Sequence, residues 1–412
     1  MKIKKVSARE IIDSRGNPTV EATVFTEKGS GWAAAPSGAS RGAHEAWELR
    51  DGGERYMGKG VLKAVKNVNK VIGPALEGMD VANQEGIDKK MIELDGTKNK
   101  SKLGGNAIVA VSMAVARAAA DAEGKELYEH FGGKLLPVPM LNIVNGGQHA
   151  GNELAIQEFM VIPVGAPSFS EGLRYASEVY HTLREKLKGR YGSSAINVGD
   201  EGGFAPPMKE SREALDIIVK AVEEAGYGKE IVLGVDCAAS GFYKDEEYHI
   251  DGKRLSAGEL LDYYAGLLGK YPLESIEDPF QEEDFSSFAE FTGKFGGNVQ
   301  VVADDLTVSN PERLKECIER NAANALLLKI NQVGTVTEAM EAKGMAEKAG
   351  MRVVVSHRSG ETEDPFIADF AVGTEAGQIK AGAPARGERT AKYNRLLAIE
   401  GKVGNNYAKV YK

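Results

Sequence analysis

The chain has 412 residues, 42% hydrophobic, 27% charged and 7% aromatic, with 51 Lys and Arg against 60 Asp and Glu for a net charge of −9. Its length favours two domains, and its charge balance argues against a general nucleic-acid or anionic-membrane surface, which is bound through excess Lys and Arg. MKIKKVSARE lacks the apolar stretch of a signal peptide, no run approaches the roughly 18 to 20 apolar residues of a membrane span, and Cys237 and Cys317 cannot make a disulfide framework, so a cytoplasmic protein with reduced thiols is expected.

The first segment opens with strand and hairpin patterning: Val20, Ala22 and Val24 alternate with Thr19, Glu21 and Thr23, a period of two that fits a half-buried strand. Glycines interrupt the chain through SGASRGAH and RDGGERYMGKG. Small apolar residues then predict a helix over about 105–123. The stretch FGGKLLPVP, with two glycines and two prolines, marks a domain boundary near residue 134, giving an α+β N-terminal domain over 1–134 and a second domain over 135–412.

Beyond the boundary come two apolar runs, MLNIV (140–144) and IQEFMVI (156–162), then helical stretches near 168–188 and 211–225 separated by the Gly-rich loop INVGDEGGFAPP. The rest is regular: IVLGVD, LESIED, VQVVADD, ALLLKI, RVVVSH and GQIKAG recur roughly every 25 to 40 residues, the length of a strand with its helix in a (β/α) barrel. The expected fold is α/β, a (β/α)8-type barrel that begins ββαα and continues as (βα)6, capped by the smaller N-terminal domain.

Each of the six runs ends in a polar residue: Asp236, Glu277, Asp304, Lys329, His357 and Lys380. Ionised groups pay heavily for leaving water unless paired. In a parallel barrel, however, the strands' carboxyl ends meet around one mouth, so six such residues converge on one pocket. Alternation turns Val235, Cys237, Ile276, Leu328 and Ile330 outward beside them. Any one alone reads as a solvated loop residue. Six in phase read as a site.

Asp236, Glu277 and Asp304 are hard oxygen donors from consecutive strands, a set that suits Mg²⁺ better than a salt-bridge net shared with two lysines. A lysine acting as base must be neutral at pH 7, well below its reference pKa of about 10.4. A neighbouring ammonium and a divalent cation act in that direction, which gives Lys329 and Lys380 a role. A plain pair of salt-bridged lysines is the competing reading.

The stretches EIIDSRGNPTVE, PSGASRGAHEAWELRD, NGGQHAGN, QEF, NVGDEGGFAPP, SIEDPF, ADDLTVSNP, KINQVGT, SHRSGETED and IKAGAPARGERTAKYNRLL, from residue 10 to about 397, resemble the enolase family in order and nearly throughout. The resemblance implies a magnesium-dependent hydro-lyase that interconverts 2-phosphoglycerate and phosphoenolpyruvate in glycolysis and gluconeogenesis. It implies two Mg²⁺ per site, the first on Asp236, Glu277 and Asp304 and the second on Ser40 of the SGAS loop. Lys329 is similar to the family's base at C2, and Lys380 to the lysine on the substrate carboxylate. Glu201 resembles the acid that assists departure of the C3 hydroxyl, with Glu158 beside it and Gln157 next in QEF. Arg358 and Ser359 resemble the phosphate grip, and His149 and His357 resemble active-site histidines. The family also implies a homodimer or a homo-octamer.

The chemistry is consistent with this assignment. Removing a proton beside a carboxylate makes a dianion that only concentrated positive charge accommodates. A poor leaving hydroxyl needs a protonated acid opposite, and neighbouring Glu158 and Glu201 are expected to raise each other's proton affinity. A guanidinium suits bidentate phosphate binding at Arg358. Arg41 after SGAS and Gln148 before His149 depart from the commonest family pattern and bear on loop and outer contacts. Another superfamily activity, such as a racemase or sugar-acid dehydratase, is disfavoured by SGAS, DEGG and HRSG. A surface role as a plasminogen binder, which Lys412 would suit, is the alternative from a different class.

Overall fold

The structure is a computed structural model that describes residues 1–38 and 44–410. Strand β1 (Ile3–Ile12) pairs antiparallel with β2 (Pro18–Thr26), and β2 with β3 (Ser30–Ala34). The turn between β1 and β2 is closed by Asp13, whose Oδ1 accepts from the backbone N–H groups of Arg15 and Asn17 at 2.9 Å each. Val20, Ala22 and Val24 form the buried face of β2, as their alternation requires. That face packs on the helix Gly105–Glu123, whose small residues let strand and helix come close. At Gly31 a Cβ would overlap Ala118 N and Ala114 O of that helix.

The larger part is a closed eight-stranded barrel. Its strands are β4 (Val138–Asn145), β5 (Glu158–Ile162) and β6 (Val232–Asp236), followed after a small inserted sheet by β10 (Leu273–Glu277), β11 (Gln300–Ala303), β12 (Ala325–Leu328), β13 (Arg352–Ser356) and β14 (Gly377–Lys380). The helices Phe169–Tyr191 and Ser211–Glu224 follow β5, and helices follow each later strand, so the barrel begins ββαα and continues as six strand–helix units. Val138, Met140, Met160, Ile162, Val302, Ala325, Leu327 and Val354 fill its interior as one apolar cluster. Their neighbours Val301, Ala303, Leu326, Leu328, Val353 and Val355 face the surrounding helices. Ser275, Gln300 and Gln378 add a polar layer to the interior: the two amides exchange hydrogen bonds of 2.9 and 3.1 Å, and Gln300 Nε2 donates to Ser275 Oγ at 3.3 Å.

Two features depart from a uniform parallel barrel. Strand β5 runs antiparallel to both β4 and β6. Its amino-terminal residue, Glu158, therefore meets the carboxyl ends of the other strands and pairs in register with Asp236. Between β6 and the helix Ala257–Leu268 the chain also forms a small antiparallel sheet, β7 (Tyr243–Lys244), β8 (Glu247–Ile250) and β9 (Lys253–Leu255), which the sequence pattern did not separate from the regular repeat.

The N-terminal part sits over the barrel mouth. Ser37 and Gly360 exchange backbone hydrogen bonds at 2.8 Å, and Arg15 Nη2 donates to Gly38 O at 2.9 Å. Asp88 accepts from Thr337 N and Oγ1 at 3.1 and 2.6 Å, fixing the helix Gln84–Asp95 to the helix Val336–Lys348. Both cysteines are buried free thiols. Among the described residues no helix is long and apolar enough to cross a membrane.

Candidate active site

The barrel topology brings the expected residues to one rim. Gln157, Glu158, Glu201, Asp236, Asp304, Lys329, Lys380 and His149 line a single cavity, together with His357, Arg358 and Ser359. Gln148 lines it too. Glu277 lies deeper and is fully buried. Ser40, Arg41 and Lys412 lie outside the described residues. Around the ring, Asp236, Glu277 and Asp304 stand on or directly after the consecutive strands β6, β10 and β11. Lys329 follows β12, Arg358 follows β13 and Lys380 ends β14.

The lysines carry the counter-charge of the carboxylates. Lys380 Nζ lies 2.8 Å from both Glu277 oxygens, 3.1 Å from Asp236 Oδ2 and 3.0 Å from Glu158 Oε2. Lys329 Nζ is ion-paired with Asp304 Oδ2, and its backbone N–H donates to Ser309 Oγ at 2.9 Å. The expected downward shift of the lysines is not found in this structure. Burial lowers each, but for Lys329 the charge of Asp304, and for Lys380 the charges of Asp236, Glu158 and Glu277, outweigh it and raise both ammonium groups. A second ammonium together with a divalent cation would lower them, whereas here each lysine has nearer anions.

Opposite Lys329 lies a cluster of two carboxylates and two imidazoles. The DEGG loop is laid along β4, where Phe204 N donates to Ile143 O and Asn145 N to Phe204 O. This brings Glu201 Oε2 to Asn142 Nδ2 at 3.1 Å and within 3.4 Å of His357 Nε2. His149 Nδ1 is 3.6 Å from both Glu158 Oε1 and Glu201 Oε1. Contrary to the expected mutual raising, the two glutamates separate. Burial, then the charge of Glu201, takes Glu158 well above the usual carboxylate range. Burial alone would raise Glu201 as well, but His357, His149 and Arg389 reverse it and bring it well below. Burial pushes His357 down to about 4, so near neutrality its ring acts on Glu201 through an N–H dipole, while Arg389 supplies fixed charge.

Near the mouth, Arg358 donates from Nη1 to Glu45 Oε2 at 2.9 Å and from Nη2 to Glu45 Oε1 at 3.3 Å, a two-point pairing with a carboxylate. Arg15 Nη1 donates to Ser359 Oγ at 3.4 Å. Beneath Asp304, Asp278 accepts from the backbone N–H groups of Asp304 and Asp305 at 3.0 and 2.7 Å. Burial, then the charge of Asp304, pushes Asp305 up to about 7. Glu45, Arg15, Asp278 and Asp305 were not singled out from sequence. All four fall inside the matching stretches EIIDSRGNPTVE, PSGASRGAHEAWELRD, SIEDPF and ADDLTVSNP, so position within a motif was the available signal.

Asp236, Glu277 and Asp304 offer only carboxylate oxygens, a donor set that fits a hard divalent cation. They are not the tightest group in this structure. Among the described residues, Asp278, Asp304 and Asp305 form one set of ligand atoms within 4.8 Å of one another, and His149, Glu158 and Glu201 form another. In this structure Lys380 contacts both Asp236 and Glu277, and Lys329 is paired with Asp304. The buried His149 Nδ1, Glu158 Oε2 and His357 Nε2 have no hydrogen-bond partner of good geometry, and their residues line the cavity, which therefore suits a polar ligand.

Residues 3–131 match the family model for the enolase N-terminal domain, and residues 133–411 match that for the enolase C-terminal TIM barrel domain. The chain is 59% identical to the enolase of Thermococcus gammatolerans over 405 residues, covering 97% of this chain and 94% of that protein. It is 58% identical to the enolase of Methanocaldococcus jannaschii over 407 residues, covering 98% and 96%. With the enolase of Methanosarcina barkeri it shares 59% identity over 408 residues, covering 98% and 95%. With both domain models matched in order and relatives aligned nearly end to end, the chain belongs to the enolase family of lyases.

Proposed function

We propose that this chain catalyses the reversible dehydration of 2-phosphoglycerate to phosphoenolpyruvate, with Lys329 taking the C2 proton and the Glu158–Glu201 pair assisting loss of the C3 hydroxyl. The observation that carries this reading is the opposition of the two groups. In the closed ring β10-β11-β12-β13-β14-β4-β5-β6, β12 and β5 are four places apart, on opposite sides of the mouth. A proton and a hydroxyl leaving from opposite faces of one substrate need a base and an acid so placed.

Lys380, among three carboxylates, is in position to contact the substrate carboxylate, and Arg358 with Ser359 to take the phosphate. His149 and Gln157 would line the substrate. Asp236, Glu277 and Asp304 would hold one Mg²⁺ and Ser40 a second. When bound, the cations supply fixed positive charge against the carboxylate oxygens on which negative charge develops. Lys329 would then serve as base once Asp304 is shared with other positive charge and no longer holds the ammonium alone. The one shared proton of the glutamate pair rests on Glu158, while Glu201 is oriented by Asn142 and His357.

The same reading divides the chain into 1–134 and 135–412 and gives a cytoplasmic protein of two or eight copies. No observation favours the surface-binding alternative. The test is ultraviolet detection of phosphoenolpyruvate from 2-phosphoglycerate, with Mg²⁺ and after exhaustive chelation. Formation with Mg²⁺ and its loss on chelation are expected. Folded protein that makes none with Mg²⁺ present overturns the assignment, and full turnover in excess chelator overturns the metal's part in it.

A further inference from the structure

Arg389, on the helix Gly387–Val403, is fully buried. A guanidinium donates and never accepts. Its Nη1 lies 2.6 Å from His357 Nδ1 and 2.6 Å from Arg358 O, and its Nη2 lies 3.0 Å from Asp200 O and 2.6 Å from Ser359 O. The four Nη hydrogens thus face four partners, of which three are carbonyls. The fourth, His357 Nδ1, must present its lone pair, because an Nδ1–H at this distance would set two donors against each other. The ring proton is left on Nε2, which faces Glu201 Oε2 at 3.4 Å. We propose that Arg389 is a positioning residue that fixes His357 as the neutral Nε2–H tautomer, and so keeps an N–H dipole directed at Glu201.

The slot holding Arg389 is tight. Gly382, at φ +91°, has no room for a Cβ, which would lie 2.7 Å from Glu201 O and 2.8 Å from Arg389 Cδ. The same guanidinium ties the loop bearing Asp200 and Glu201 to the loop bearing Arg358 and Ser359, so acid and phosphate grip share one anchor. The charged groups facing His357 are Glu201 across the cavity, Arg389 behind it, and Glu361 on its own loop. Glu361 is neutralised by Lys392 Nζ at 2.8 Å, and Lys380 O accepts from the His357 backbone N–H at 2.9 Å. With Arg389 occupying Nδ1, a second ring proton has no acceptor, in keeping with the low proton affinity of this imidazole.

The inference deepens the active-site reading and rests on it only in its kinetic arm. The first arm is ¹⁵N NMR of the wild-type protein labelled at histidine, with the His357 signals identified by their loss in His357→Asn. The expected result is protonated Nε2 and bare Nδ1 from pH 5.5 to 8. A proton on Nδ1, or an imidazolium at pH 7, overturns the proposal whether or not the chain turns over 2-phosphoglycerate. The second arm compares Arg389→Met and Arg389→Lys. In Arg389→Met, kcat should fall on the order of 10- to 100-fold with KM changed less than about 3-fold, and an acid limb near the usual histidine range of about 6.5 should appear in the kcat profile. Arg389→Lys keeps a donor to Nδ1 and should recover part of kcat without that limb. Equal losses in both variants with no new limb would make Arg389 a packing residue only. If neither variant folds, the wild-type spectrum decides.

Discussion

Glu158 pairs in register with Asp236, although the two residues lie at opposite ends of their strands, the first opening β5 and the second closing β6. The antiparallel direction of β5 allows this. It puts a high-affinity carboxyl on the rim opposite Lys329 and beside the acidic arc of β6, β10 and β11. The residues proposed as proton donor, base and cation ligands thereby meet at one rim, where Lys329 is ion-paired with Asp304.

The buried state of His357 makes stability depend on pH. Its folded pKa, about 4, lies below its value of 6.5 in the unfolded chain. The unfolded chain therefore takes up a proton first as pH falls. The stabilisation is complete above about 6.5 and is lost progressively down to about 4, on the order of 3 kcal/mol in all. Urea midpoints of the wild type and of His357→Asn should converge or cross as pH is lowered from 7.5 to 5. A difference that stays constant over that range would show that His357 is not held neutral.

Glu45 occupies both outer nitrogens of Arg358, the groups assigned to phosphate. Substrate phosphate has to share or displace that carboxylate. Glu45→Gln should therefore strengthen inhibition by inorganic phosphate by about 3- to 10-fold, a change of about 1 kcal/mol, whereas Arg358→Lys should weaken it, since one ammonium cannot reproduce the fork. Weaker phosphate inhibition in Glu45→Gln would mean that Glu45 orients Arg358 for the ligand and does not compete with it.

The Gln300–Gln378 pair below the rim lies two residues before Val302 and Lys380 on their strands. Gln378→Leu leaves the Gln300 amide buried with fewer partners, a loss of about 1–3 kcal/mol in stability. The double replacement Gln300→Leu with Gln378→Leu removes both polar groups and should be less destabilised than the sum of the single changes. Strict additivity in thermal or urea unfolding would show that the amides do not depend on each other.

Charged residues such as Asp236, Glu277 and Lys380 stood out in the sequence because each closes a short apolar run. Glu158 carried a different sign of the same kind: in IQEFMVI the acid precedes the apolar residues, as expected of a reversed strand, and only the barrel shows the reversal. The small sheet β7–β9 was not read from the sequence, although one local sign of it is there. Asp251 and Gly252, with φ of 50° and 71°, form a hairpin turn whose sequence is Asp-Gly, but its flanking strands are short and charged. Arg389 and Glu45 were not singled out, although both lie inside matching motifs. An arginine on a helix and a glutamate in a loop are ordinary residues, and their importance comes from partners on other loops: His357 and Asp200 for Arg389, and Arg358 for Glu45. The charge state of the lysines needed distances, since sequence gives the neighbours of a strand end but not which oxygen is nearest.

The division of labour between Lys329 and Glu201 is tested most directly by measuring C2 hydrogen exchange in heavy water beside phosphoenolpyruvate formation. Lys329→Ala removes the base, so exchange and dehydration should collapse together. Glu201→Gln removes the charge that helps hold the acid proton on Glu158 and leaves Lys329 and the cation ligands in place, so exchange should persist while dehydration falls by up to about 100- to 10,000-fold, the range of general acid catalysis. If Glu201→Gln loses exchange as completely as Lys329→Ala, the assignment of base and acid to opposite sides of the barrel is contradicted.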